Sequence, residues 1–359
     1  METATNTIPT ASHSNNLNFL RLLFASLVLV AHGPELRYGD RSRELLTRVF
    51  GTISFGEFAV AGFFILSGYL IVGSWQRRPQ IADFIEKRIR RIVPGFVIAF
   101  AVSVFVAAPL GAQDVAAYFH ELNYRALFSM AVQLKHPLEL PPNFVGTAYP
   151  YVNGAMWTIE FEVRCYALAL LFGLAGVSRQ KGVWLIVYIV ALGLMLMSDQ
   201  VRTLNLPGQK WYLVSPPEFI NFVAFFSAGA CFKLFGVVAR GRWAVIAAVV
   251  LLFLLTTQHD LALLGLATVG AYALFWFAFA SIPSLISFQK IDDISYGLYL
   301  YGWPIQKLLD WYLPSVSLWL LIPLALLFAS LLGYISWNLV EKPFLRSKKS
   351  VTVPIKVLV

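Results

Sequence analysis

Arg21 and His32 bracket ten residues, LLFASLVLVA, of which only Ser26 is polar. Ionisable side chains inside so apolar a run are expensive in hydrocarbon and generally line a site or a pathway. In an α-helix each residue turns about 100°, so eleven steps return His32 to within about 20° of the face of Arg21, roughly 16 Å further along the axis. A cation and a titratable base thus look the same way from opposite ends of one helix. An imidazole with an ordinary pKa of about 6.5 suits general-base work near neutrality. Taken singly, Arg21 also reads as a snorkelling residue near a helix end, and His32 as an interfacial histidine beside a Gly33–Pro34 turn.

Three further stretches carry chemistry-bearing residues. In FIEKRIRRIVP, Arg88 and Arg91 are one helical turn apart and can offer two guanidinium forks to a phosphate cluster. The same residues also read as a positive-inside signal that binds anionic headgroups. In NGAMWTIEFEVRCY, Glu160 and Glu162 lie about 200° apart on a helix, which excludes a paired-carboxylate site of the glycosidase kind. Glu162 and Tyr166 share a face. Glu162 reads either as the ion-pair partner of an arginine such as Arg164 of a neighbouring helix or copy, or as a carboxylate that sets the tautomer of His32. In ISYGLYLYGWPIQKLLDWY, Lys307 falls in mid-segment with Asp310 as the expected partner, and the aromatics fit a membrane-interface belt. His259–Asp260 reads as a solvated turn, and the small residues of GFFILSGYL as a close helix-packing face.

The elements that must position these residues are membrane helices. The chain has 359 residues, 58% hydrophobic and 13% charged, with mean hydropathy +0.69. Soluble domains carry about 25% charged residues, so this is an all-α polytopic membrane protein. Apolar runs long enough for about 30 Å of hydrocarbon recur at roughly 17–32, 55–75, 93–110, 157–177, 183–197, 218–235, 243–257, 263–282, 294–312 and 318–339. They give about ten spans. With the N-terminus inside, the cytoplasmic loops and tail hold seventeen Lys and Arg against eight outside, which places both termini in the cytoplasm. The expected organisation is a cytoplasmic tail over 1–16, one membrane domain over 17–340 and a basic cytoplasmic tail over 341–359. The start lacks the features of a cleaved signal peptide, so the first run is expected to stay as a span. The net charge of +9 fits basic cytoplasmic loops and makes a nucleic-acid partner improbable. Cys165 and Cys231 fall in different spans, which argues against a disulfide framework. Five scattered histidines offer no metal-ligand pair at helical spacing.

Arg21 with ten residues to His32, then GFFILSGYL, FIEKRIRRIVP, NGAMWTIEFEVRCY, SYGLYLYGWP and VEKPF occur in the order seen in the acyltransferase-3 family. The chain resembles that family of bacterial inner-membrane proteins over about residues 15–346. The resemblance implies an acyltransferase that acylates cell-surface carbohydrates from acyl-CoA, acetyl being the usual group. By its motifs His32 is the presumed catalytic residue, and Arg88 and Arg91 are associated with the acyl-CoA donor. Trp157, Thr158, Ile159 and Glu162 match one further motif, and Ser295, Tyr296, Tyr299 and Leu300 another. Many members carry a second histidine near the proline of the last motif; here that stretch is Tyr301-Gly302-Trp303-Pro304.

Residues and resemblance together give an expectation of direct transfer. Arg21, Arg88 and Arg91 hold the cytoplasmic acyl-CoA, and His32 takes the proton of a sugar hydroxyl at the outer end. Glu162 orients His32 and stabilises the imidazolium, as a carboxylate does in hydrolytic triads. Trp157, Tyr166, Ser295, Tyr296 and Tyr299 contact substrate. Partners are membrane lipids and a carbohydrate acceptor on the periplasmic side. Ser67 and Ser295 are the available nucleophiles for a covalent route, unsupported by spacing. The competing class is a carrier or flippase of a sugar-linked substrate, which intramembrane charges also suit; it lacks an inverted repeat here.

Overall fold

The computed structural model of the chain describes residues 15–138, 140–176, 180–197 and 217–346. Among the described residues every regular element is helical. Long helices stand at the positions of the apolar runs: α1 (Leu17–Tyr38), α2 (Phe55–Arg77), α3 (Ile81–Val102, continued by a π-turn at Ser103–Ala107), α4 (Trp157–Leu174) and α5 (Lys181–Met195). They are followed by α6 (Pro217–Phe235), α7 (Gly241–Leu255), α8 (His259–Phe279, with a π-turn at Leu266–Gly270), α9 (Ser295–Tyr312) and α10 (Leu318–Ser336). The stretches of α1, α2, α3, α6, α8 and α10 are long and apolar enough to cross a membrane. α5 and α7 are apolar but have only 15 residues each. α4 carries Glu160, Glu162 and Arg164, and α9 carries Lys307 and Asp310. The expected N-terminal tail lies almost wholly outside the described residues, and the C-terminal tail is described only to Arg346.

Glycine sets how these helices meet. A Cβ on Gly68 of α2 would lie 1.9 Å from the carbonyl oxygen of Phe226 in α6, and one on Gly229 of α6 would lie 1.9 Å from that of Ile65. Only hydrogen fits between these backbones. In lipid, where apolar side chains gain little by leaving the solvent, such close backbone contact is what holds helices together. The GFFILSGYL face is thus the packing face that its small residues predict. α1 packs on both α2 and α9.

The first helix differs from the sequence reading in a way that matters for the site. It does not turn at Gly33–Pro34 but runs through Pro34 to Tyr38, where Gly39 ends it at φ +82°. Proline's fixed φ fits a helix; what it removes is the amide that the Val30 carbonyl would accept. A polar neighbour serves this weakened stretch: the Gln306 amide of α9 donates to the adjacent Leu29 carbonyl at 2.8 Å. The extra turn puts Glu35 three residues beyond His32, on the same face.

Lys307 and Asp310 do not pair with each other by hydrogen bond. Arg37, in the last turn of α1, donates to Asp310 at 2.5 Å. The buried Lys307 ammonium donates to the Thr147 hydroxyl at 2.7 Å and the Tyr149 carbonyl at 2.5 Å, with the Phe144 ring 5.0 Å away. Lys307 ties the segment before α4 to the bundle, because a buried ammonium takes whatever acceptors geometry provides.

Candidate active site

At the first turn of α9, Asp293 precedes Ser295 and accepts from the Ser295 amide at 3.3 Å and from its hydroxyl. Its other oxygen is shared by two guanidiniums, Arg21 from α1 and Arg91 from α3, the latter at 2.8 Å. Burial alone would raise the pKa of Asp293; the two arginines outweigh it and hold the carboxyl well below the usual carboxylate range. Two cations on one anion leave an excess of one positive charge, which the nearby Glu162 carboxylate offsets. The two arginines line a cavity of about 100 Å³ with Glu162, Tyr166, Ser295 and Tyr296. Tyr166 donates to Glu162, and the Tyr296 hydroxyl donates to the Ile92 carbonyl at 3.0 Å.

Arg88 and Arg91 do not present parallel forks. Arg91 turns into the cavity, whereas Arg88 lies over the rings of Phe84 and Tyr166, at 5.4 and 5.7 Å. Its Nη2 stands 3.5 Å from the Ser74 hydroxyl, and its buried Nε has no protein partner.

His32 lies in a second cavity, of about 340 Å³. Its Nδ1 is 2.8 Å from Glu35, and the second oxygen of Glu35 accepts from Arg41 at 3.1 Å. His32 and Glu35 are 12% and 7% exposed at the side chain, so the pair is shielded without being sealed. A carboxylate on Nδ1 fixes the proton there and leaves Nε2 as the basic nitrogen. The Trp303 ring meets the imidazole edge-on at 4.6 Å, so an aromatic wall stands in the stretch where many family members place a second histidine.

The expectation that Glu162 orients His32 is corrected. Glu162 belongs to the arginine cavity with Tyr166, and Glu35 is the carboxylate on His32. Within the chain, Arg164 binds Glu160, one turn away on α4. His259 is exposed, as expected, but stands in a helix rather than a turn. It opens α8, faces the cavity of His32, and sits 3.0 Å from Glu57 and 3.5 Å from Asp260.

The two cavities share Val60 and Tyr299 as lining residues. Tyr299 is held rigidly, its hydroxyl 2.7 Å from the Ala155 carbonyl and 2.6 Å from the Thr158 hydroxyl. Of the residues singled out from sequence, Arg21, Arg91, Glu162, Tyr166, Ser295 and Tyr296 line the arginine cavity; His32 and Trp157 line the other. Glu35, Arg41, Glu57 and Asp293 were not singled out. Ser54-x-x-Glu57 is nevertheless a legible capping box, with the Ser54 hydroxyl accepting from the Glu57 amide.

Residues 14–337 match the acyltransferase domain family, and the chain belongs to it. Over 345 residues it is 27% identical to the O-acetyl transferase of Shigella phage Sf6, a match covering 92% of this chain and 96% of that protein. It is 25% identical over 377 residues to nodulation protein 10 of Rhizobium leguminosarum bv. viciae, covering 95% of each. No solved structure matches the chain. The family assigns acyl transfer to this membrane protein and sets the carrier reading aside.

Proposed function

We propose that the protein is a ten-span acyltransferase of the bacterial inner membrane, with both termini cytoplasmic. It moves an acetyl group from cytoplasmic acyl-CoA to a hydroxyl of a cell-surface or periplasmic carbohydrate. The observation that carries this reading is one helix, α1, placing Arg21 in an arginine-lined cavity and His32 in a second cavity that meets the first at Val60 and Tyr299.

The donor fits the first cavity in part. At about 100 Å³ it takes the acyl-thioester end of the pantetheine arm and not a nucleotide. The phosphates belong at its mouth, within reach of Arg88 and beside the guanidiniums of Arg21 and Arg91. Ser295, Tyr296 and Tyr166 line the arm, and Glu162 fixes the Tyr166 hydroxyl.

In the second cavity Trp157 supplies a flat wall for the acceptor. His32 Nε2 removes the proton of the sugar hydroxyl as its oxygen attacks the thioester carbonyl. The tetrahedral centre then collapses, the C–S bond breaks, and the imidazolium returns the proton to the departing thiolate. Glu35 stabilises the imidazolium between those steps, held in place by Arg41. Transfer is direct, without a covalent acyl-enzyme.

The test uses purified protein in nanodiscs with radiolabelled acetyl-CoA, following CoA release and label transfer to a panel of glycans. His32→Ala is expected to abolish transfer while CoA binding survives. A folded protein that binds no CoA, with Arg88 and Arg91 intact, would overturn the reading.

A further inference from the structure

The charges around the histidine cavity are lopsided. Among the described residues, Glu35, Glu57, Glu218 and Asp260 line it against one guanidinium, Arg41. Protonating both His32 and His259 would still leave a negative excess. Three of the carboxylates are engaged: Glu35 with His32 and Arg41, Glu57 with His259 and with the Ser54 amide at 2.9 Å, and Asp260 with His259 at 3.5 Å. Glu218 is different. One of its carboxylate oxygens is buried and has no hydrogen-bond partner among the described residues. An acceptor oxygen left without a donor is unfavourable, and a ligand donor relieves it. Asn221, three residues further along α6, lines the same cavity, and the Trp157 ring offers a flat apolar surface.

We propose that this cavity selects an acceptor sugar without a carboxylate or phosphate on the reacting residue: an uncharged or amino-bearing sugar, one of whose hydroxyl or ammonium donors binds Glu218. The inference rests on the reading of the histidine cavity as the acceptor site. A sugar hydroxyl or ammonium supplies the donor that Glu218 lacks, and the C–H face of a pyranose suits an indole wall. A uronic or sialic acid would bring a like charge into a confined cavity, where screening by water is weak. Rejection of the wrong partner by like charge is a standard source of specificity.

Two measurements separate this inference from the function it builds on. The first needs no turnover. Single cysteines are introduced at Gly56, where a Cβ would make only ordinary contacts of 3.4 Å with Ala31 and 3.5 Å with Ser54, and at Asn221. The native Cys165 and Cys231 are buried, so background labelling is low. The full chain in nanodiscs is treated with cationic and anionic methanethiosulfonate reagents, each rate being normalised to that of a free thiol. The cationic reagent is expected to be favoured about tenfold at both positions. Glu218→Gln and Asp260→Asn are each expected to shrink that ratio. Equal normalised rates at both positions, or a preference for the anion, overturn the proposal.

The second measurement compares acetyl transfer to methyl hexosides, their amino counterparts and the matching uronides. Uronides are expected to be at least tenfold poorer in kcat/KM, and Glu218→Gln to narrow the gap. A uronide acetylated as well as its neutral counterpart overturns charge selection and leaves the acyltransferase reading intact. A clear labelling bias with no CoA binding does the reverse.

Discussion

Replacing Glu35 by Gln is the most informative single change. The side chain is nearly isosteric, so the wall of the cavity keeps its shape, but two things are lost. The imidazolium formed during transfer no longer faces an anion; a hydrogen bond to a charged partner contributes about 1.5–3 kcal/mol, or roughly 10- to 200-fold in rate. The second loss is the tautomer. Glu35 can only accept from Nδ1 of His32, which stands 2.8 Å away. A glutamine there can donate its NH₂ to Nδ1, moving the ring proton to Nε2 and removing the base that faces the acceptor. The analogous exchange in a hydrolytic triad costs about 10⁴ in kcat. A fall of about 10²–10⁴-fold in kcat is therefore expected, with acetyl-CoA binding close to wild type, because the donor cavity is not touched. The assay is label transfer at saturating acetyl-CoA beside isothermal titration with CoA. Glu162→Gln is the control, and its effect is expected mainly in the KM for acetyl-CoA, since Glu162 lines the arginine cavity with Tyr166. A Glu35→Gln enzyme within threefold of wild-type kcat, beside a Glu162→Gln enzyme that has lost it, would refute the assignment of Glu35 to His32.

Asp293→Asn removes the counter-ion shared by Arg21 and Arg91. Its cost is expected to be about 2–3 kcal/mol, less than for a fully buried pair because both guanidiniums are partly exposed, read as a lower unfolding midpoint in detergent. Because the carboxyl is held below its unfolded value of about 3.9, its contribution is complete above that pH and is lost as pH falls below it. The drop in thermal midpoint between pH 5 and pH 3 should therefore be smaller in Asp293→Asn than in wild type. Gly68→Ala drives a methyl group into the Phe226 carbonyl and is expected to cost roughly 2–3 kcal/mol. Gly182→Ala, with no neighbouring atom within 4 Å, should be neutral or slightly stabilising by the same measurement.

Much of this architecture is legible in the sequence because membrane helices announce themselves by apolar length, and the spacing of Arg21 and His32 on one helix is simple geometry. The Glu162–Tyr166 pair was likewise readable as neighbours one turn apart. What sequence periodicity could not supply was contact between helices. Asp293 sits 272 residues from Arg21 and 202 from Arg91, and nothing local in the sequence marks it beyond its place two residues before Ser295. Glu35 was missed for a different reason. Proline was read as ending the helix, which it does when its neighbours cannot serve the loosened backbone; here Gln306 stands beside that backbone. The Lys307–Asp310 expectation failed because spacing along one helix says nothing of Arg37, Thr147 and Tyr149 arriving from other segments. His259 is exposed, as its polar neighbours suggest, but its pairing with Glu57 from another helix is not legible from local sequence.

The junction at Val60 and Tyr299 has an electrical consequence. Moving one elementary charge across the membrane potential involves about 2.3 kcal/mol per 100 mV, so carrying a multiply anionic nucleotide through the bilayer would couple the reaction strongly to that potential. In the proposed arrangement, with the donor's phosphates at the mouth of the arginine cavity, only a neutral acyl group has to pass the tyrosine. Transfer then does no work against the field, and its equilibrium is set by the thioester and the ester alone.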